Sequence, residues 1–174
     1  MGTGAQQMRP GELQKVLHNL LKERVPIRDL ETVLETLGEW AAKTKDVEIL
    51  TEAVRNGLAR TICNQYRDEQ NTIHCVTLDP QLEDTINGYV ERNERGSFLT
   101  LPPQIARQIT ENAATAVAKL MQQGFHGVVL CSPQVRAHVR KLIENSLPAV
   151  AVMSYNEITR GINVESVGIV GVSG

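Results

Sequence analysis

Four histidines, three cysteines and a scatter of carboxylates are the residues of this chain equipped for chemistry, so their spacing decides what chemistry is available. His74, His126 and His138 are far apart, and no two histidines stand at i, i+4 as zinc hydrolysis requires. No pair of carboxylates adjoins them to complete a metal shell. Cys63, Cys75 and Cys131 include no close-spaced pair, and Cys75 and Cys131 lie in apolar runs where a thiol acts as a small hydrophobe. Ser132-Pro133 follows one such run and reads as a helix opening, a place for an anion or a nucleophilic serine. It lacks a glycine-rich turn and does not match Gly-x-Ser-x-Gly, so an N-cap serine accounts for it. Asp68-Glu69 and the run Glu91 to Arg95 read as solvated helix ends. The expectation is no catalytic, metal-binding or cofactor-binding residue, and a function in protein binding.

Bulk properties support that expectation. The chain has 174 residues, enough for one domain or two small lobes. Its formal net charge is -2 with Lys and Arg dispersed, which offers a phosphate backbone no basic face. Aromatics are 3%, too few to build stacking platforms for single strands. No apolar run is long enough to span a membrane. Residues 1–10 have no apolar core of a signal peptide and read as a leader. Reduced thiols are expected.

The elements that position these residues divide in two. In the first half, Leu13, Val16, Leu17, Leu20 and Leu21 share one helical face between Gly11 and Arg24. Pro26 ends that helix, and Asp29 is placed to cap a second one carrying Leu30, Val33, Leu34, Leu37 and Trp40. Thr44 or Asp46 caps a third, with Ile49, Leu50, Ala53, Val54, Leu58 and Ile62 as its stripe. Each stripe has to be covered by the other helices or by something else.

Beyond Asn71 the period changes from 3.6 to 2. Thr72 to Leu78 reads as a strand, and Asp79-Pro80 opens a helix predicted to run to about Glu94. Ser97 to Leu101 is short and extended. Pro102-Pro103 opens the longest helix, ending at Gly124. Gly127 to Cys131 and Ala149 to Met153 are continuous apolar strands, separated by a helix on which His138 stands among Arg136, Arg140 and Lys141. Val164 to Val170 is the last strand, at an edge. Strands apolar on both faces belong to a covered parallel sheet, so the fold class is α/β with an N-terminal all-helical lobe. The expected organisation is a helical subdomain over 11–70 and an α/β subdomain over 71–174.

Three function classes compete. A DNA-binding helix-turn-helix would lay the second helix on the duplex, but Glu31, Glu35 and Glu39 put like charge there. A small-molecule-binding or hydrolytic α/β domain would need polar groups converging near Ser132 and Tyr155, at the carboxyl ends of the strands. A protein-binding surface needs only what is present. Arg24, Arg28 and Arg60 oppose Glu31, Glu35, Glu48 and Glu52, within the bundle or across a subunit boundary. Tyr155 and Asn156 stand on a loop where α/β domains expose functional groups. Interface candidates are therefore Arg24, Arg28, Asp29, Glu31, Trp40, Tyr155 and Asn156.

The stretch Gln14 to Leu30, with its Val25-Pro-Ile-Arg-Asp29 core, then Glu35-Thr-Leu-Gly-Glu-Trp40, Thr44-Lys-Asp46 and Leu50 to Arg55, closely resembles the cytoplasmic region of the type III export gate proteins. These are the FlhA family of flagella and its virulence-injectisome relatives. Thr77-Leu-Asp-Pro80, Leu142-Ile-Glu144 and Met153-Ser-Tyr-Asn-Glu-Ile158 match the same family, so the resemblance runs from about residue 11 to 170. The flagellar branch fits better, through the Leu50 to Cys63 segment and the Ser154 to Ile158 context.

The resemblance implies a bacterial inner-membrane protein whose cytoplasmic part has four subdomains and assembles into a ring of nine. It implies that this chain is the helical third and α/β fourth of them, on the cytoplasmic side of the membrane and not entering it. The implied partners are other copies in the ring, flagellar export chaperones with their substrates, and other export-apparatus proteins. The third subdomain would serve ring packing, and the fourth would flank the chaperone cleft, whose pocket lies largely in the second. Val25, Pro26, Ile27, Arg28 and Asp29 match the family's signature and would put Arg28 at a packing or interprotomer contact. Trp40 would serve as a core or interface anchor.

Overall fold

A computed structural model describes residues 10–172; the leader reading at the start of the chain lies outside them except for its last residue. The chain forms two compact units that meet between Gln65 and Tyr66.

The first unit is helical: α1 (Pro10–Lys22), α2 (Leu30–Trp40), α3 (Val47–Gly57) and most of α4 (Ala59–Tyr66). Val16 and Leu20 of α1, Val33 and Leu37 of α2, and Leu50 and Val54 of α3 are buried and form its core. Asp29 caps α2 by accepting from the Thr32 N–H at 3.1 Å and the Thr32 hydroxyl at 2.6 Å. Asp46, not Thr44, caps α3, accepting from the Glu48 N–H at 2.9 Å. One expectation for this unit needs correction: the third helix is broken at Leu58, where the backbone leaves helical geometry, so Ile62 belongs to α4. Of the α2 stripe, Val33 and Leu37 are covered within the unit, while Leu30 and Leu34 are 49% and 43% exposed. Five apolar positions wrap too far round an 11-residue helix for one packing face to cover.

The second unit is built on a four-stranded parallel sheet in the order β5-β4-β1-β6. Its strands are β1 (Thr72–Leu78), β4 (Val128–Cys131), β5 (Ala151–Ser154) and β6 (Asn163–Val170). A register shift between Cys75 and Val76 bends β1 against β6. Helices α5 (Pro80–Gly88), α6 (Pro103–Gln122) and α7 (Arg136–Ile143) bury Leu82, Ile86, Ile109, Val117, Leu120, Val139 and Ile143 in a core shared with the strands. Asp79 caps α5 with Pro80 in its first turn, as the Asp-Pro pair predicts.

Here too the sequence reading is corrected. The helix after Asp79 ends at Gly88, six residues short, and the chain turns into an antiparallel hairpin, β2 (Val90–Asn93) with β3 (Gly96–Leu99). Gly96 at φ 125° and the Asn93 side chain, which accepts from the Arg95 N–H at 2.7 Å, make its turn. The charge-rich run Glu91 to Arg95 therefore lies on a strand and turn. Ser132-Pro133 does not open α7, which begins at Arg136; the intervening residues form a turn in which Val135 N–H donates to the Ser132 carbonyl at 3.2 Å.

Candidate protein interface

Along the first unit, the α1–α2 connection is fixed residue by residue. Arg24 takes a left-handed conformation at φ 62°, which turns the chain out of α1. Val25 then buries its side chain, donating its N–H to the Leu20 carbonyl at 2.9 Å. Gln65 donates its side-chain amide to the Arg24 carbonyl at 2.9 Å. Pro26 and Ile27 are half-buried, and Arg28, Asp29, Leu30 and Glu31 emerge in succession into solvent. The two hydrogen bonds from Thr32, the hydroxyl's foremost, hold the Asp29 carboxyl below its ordinary value.

Thus Arg28, Asp29 and Glu31 are exposed in succession, Arg24 is exposed on the other side of buried Val25, and Leu30 and Leu34 are the part of the α2 stripe that the other helices leave uncovered. Glu35 and Glu39 are exposed further along α2, so this helix shows an apolar-acidic surface. Trp40, at the far end of α2, is half-buried with the Lys43 ammonium 5.0 Å from its ring centroid. The buried ion pair of this unit joins Arg55 to Glu23 at 3.5 Å, a pairing absent from the sequence reading.

Tyr155 and Asn156 belong to the second unit and stand exposed on a short 3-10 turn (Tyr155–Glu157) leaving β5. Glu157 anchors the turn: its buried carboxylate accepts the Ser154 N–H at 3.1 Å. The Tyr155 hydroxyl is shifted up, first by burial and then by the negative charge of Glu83. That same Glu83 accepts the Ser132 N–H at 2.6 Å. The backbone donor an anion would have used at the end of β4 is therefore occupied by a carboxylate.

Of the three separated histidines, His74 and His126 line one small cavity together with Asp68, and His138 stands on α7. His74 on β1 stacks on Phe125 with ring centroids 3.8 Å apart, its nitrogens facing Asp68 at 3.7 Å and Glu165 at 3.4 Å. His126 meets Tyr66 edge-on at 5.8 Å. His138 is buried on α7, as are Arg136 and Arg140, so the charged groups read on this helix are largely turned inward. Arg136 donates to the Val152 carbonyl at 2.9 Å and Arg140 to the Val150 carbonyl at 2.8 Å. The two guanidiniums thereby cover the outer edge of β5. Their i, i+4 spacing was the signal in the sequence, but an arginine's role in capping carbonyls depends on which strand lies beside it. Among the described residues no group of three His, Cys, Asp or Glu side chains is arranged to hold a metal ion. No helix among them is long and apolar enough to cross a membrane.

The match to known proteins decides among the readings. The FHIPEP family profile covers residues 3–163. The chain belongs to the FHIPEP family. It is 38% identical over 162 residues to the flagellar biosynthesis protein FlhA of Bacillus subtilis, which is 93% of this chain and 24% of that protein. The Chlamydia pneumoniae CdsV structure superposes with a TM-score of 0.88 at 34% identity, over 96% of this chain and 48% of that one. The nonameric EPEC SctV-C, solved by cryo-EM, gives 0.84 at 30% identity, over 95% and 49%. The chain thus spans about a quarter of its curated relative and about half of each solved one. The family is one of type III export gate proteins and is not a known enzyme family.

Proposed function

We propose that this chain is the helical and α/β portion of a bacterial type III protein export gate, working without catalysis by ring assembly and by docking of export substrates or their chaperones. The observation that carries the reading is the apolar-acidic face of α2, where Leu30 and Leu34 stand exposed beside Glu31 and Glu35. Two leucines one turn apart on an exposed helix face form a small contiguous apolar patch, the kind of surface that a protein contact covers. They adjoin the rigid Arg24-to-Asp29 connection, which would hold an interprotomer contact in one geometry. The likeness to a nonameric relative supports a ring of nine, with the helical unit as its packing element.

Tyr155 and Asn156, exposed on an anchored turn, are the proposed docking contacts of the α/β unit, and Trp40 the proposed anchor at the end of α2. The likeness to a flagellar relative at 38% identity supports the flagellar branch. In this reading the chain works at the cytoplasmic face of the inner membrane, with other export-apparatus proteins among its partners.

Sedimentation velocity of the chain, alone and with flagellar chaperone–substrate complexes, tests the docking half. Co-migration that is lost in Tyr155→Ala/Asn156→Ala supports it. Complexes that sediment independently of the chain remove docking from these two residues and leave it to the rest of the gate.

A further inference from the structure

The parallel sheet has two edges, β5 and β6, and the chain treats them differently. In a strand the N–H and C=O of one residue point to the same side, and those of the next residue to the other. At β5, Ala151 faces inward, donating its N–H to the Gly127 carbonyl at 2.9 Å. Val150 and Val152 face outward, and their carbonyls are taken by the guanidiniums of Arg140 and Arg136. At β6 the alternation is fixed from both ends. Asn163 donates its N–H to the Asn71 carbonyl at 2.8 Å, and the Val170 carbonyl accepts from the Asp79 N–H at 2.8 Å, so both residues face β1. Their neighbours Val164 and Ile169 therefore turn N–H and C=O away from the sheet, the register shift with Val167 as its extra residue bringing the two into phase. Among the described residues no strand pairs beyond β6.

We propose that the outer edge of β6 takes up an extended segment of a partner protein as a further strand of the sheet. Outward donors and acceptors along an edge select an extended main chain; a helix has spent its own backbone groups and cannot answer them. The side chains agree. Val164 and Ile169 stand in register with Ile73 and Thr77, share their face of the sheet, and are 40% and 67% exposed. A strand laid along them covers both with β-branched residues of its own. Glu165, whose carboxylate lies 3.4 Å from His74, disfavours a carboxylate set opposite it. The segment is therefore about six residues long, β-branched at alternate positions and free of proline. A second copy of the chain does not supply it. The β5 edge of that copy is closed by its arginines, and β6 against β6 needs a two-fold axis that a ring of nine does not contain.

The inference rests on the reading of the chain as a protein-binding gate element and names the kind of segment that one of its surfaces binds. The probe is a labelled peptide of about eight residues, with valine and threonine alternating between terminal lysines. Its counterpart is N-methylated at successive central residues, which keeps the side chains and removes the donors of both peptide edges. Fluorescence anisotropy with the whole chain is expected to show the unmethylated peptide binding at least about tenfold more tightly. Ile169→Pro removes an outward donor and leaves the ladder to β1 intact, so it should weaken that binding about tenfold. Ile169→Lys puts a charge on the edge and should weaken it as well.

Amide hydrogen exchange supplies a readout that an apolar contact alone would not move. The Val164 and Ile169 amides should exchange fast in the free chain and become protected on binding, with little change at Asn163 and Val170. Should Ile169→Pro not fold, Ile169→Lys and the methylated peptide still decide. Equal affinity for the two peptides, or no added protection at Val164 and Ile169, overturns the proposal. A dimer of the chain alone that Ile169→Lys dissolves also overturns it, by giving the edge to a second copy. The ring of the gate is measured independently by sedimentation, so a gate that assembles while β6 ignores both peptides contradicts the edge alone.

Discussion

Arg136 lies 1% exposed with its guanidinium Nη1 2.9 Å from the Val152 carbonyl oxygen, so a charged side chain of α7 closes the free edge of β5. An uncovered edge strand is a template for pairing with other chains, and arginine can block it without adding a strand. Removing the guanidinium leaves a buried acceptor without its donor, at a cost of about 2 kcal/mol. Arg136→Met is expected to lower the urea midpoint accordingly and to raise the tendency to aggregate. A midpoint unchanged from wild type would show that the carbonyl is satisfied in another way.

Cys75 sits fully buried on β1, and burial pushes its thiol from an ordinary 9.0 up to about 11. The sign follows from linkage. Between these values the unfolded chain releases the thiol proton and the folded chain keeps it, so stability is intact below about 9 and falls as pH rises toward 11. Cys75→Ala should flatten this alkaline loss in a series of denaturant titrations. Native Cys75 should also resist thiol reagents at neutral pH and react only on unfolding; rapid modification of the folded protein would contradict its burial.

The Asp29 carboxyl is held below its ordinary 3.8 by the hydroxyl and amide of Thr32. Its contribution is therefore present above that value and is lost as pH falls through the lower, folded one. Asp29→Asn retains a capping acceptor and should remove the acid dependence with little change at neutral pH, whereas Asp29→Ala should destabilise α2 throughout. Circular dichroism melts from pH 2 to 7 distinguish the two. Equal melts for both variants would mean that the cap contributes nothing.

Legibility of the chain followed the range of the forces involved. Asp29, Asp46 and the Asp79-Pro80 pair were readable because a cap acts within three residues of itself. Strands β4 and β5 were readable because continuous apolar runs have few other places to go, and β1 because its period changes to 2. Of the hairpin, β3 fell largely within the segment Ser97 to Leu101 read as a short strand or extended, while β2 was missed because Glu91, Arg92 and Asn93 are polar or charged, with no apolar alternation to mark a strand. What covers Leu30 and Leu34 was left open, because helical spacing gives the direction of an apolar face and not how much of it the neighbouring helices reach. The burial of Arg136 and Arg140 was not legible, because their partners are carbonyls at β5, which follows α7 in the chain. Of the interface candidates, Arg24, Arg28, Asp29 and Glu31 were legible by residue type alone; that buried Val25 separates Arg24 from the others was not.

The face of α2 is where the account is most exposed to test. Leu34 is 43% exposed, so Leu34→Glu should leave the thermal unfolding of this chain within about 2 °C of wild type, surface substitutions being nearly neutral. In the longer cytoplasmic region of the gate the same substitution should remove an apolar contact and add a carboxylate to a face already carrying Glu31 and Glu35. Sedimentation velocity on that region, wild type against Leu34→Glu, is the direct measurement. The account predicts a nine-membered ring for the wild type and its dissociation in the variant. A ring that forms equally well with glutamate at position 34 would contradict the assignment of this helix face to assembly.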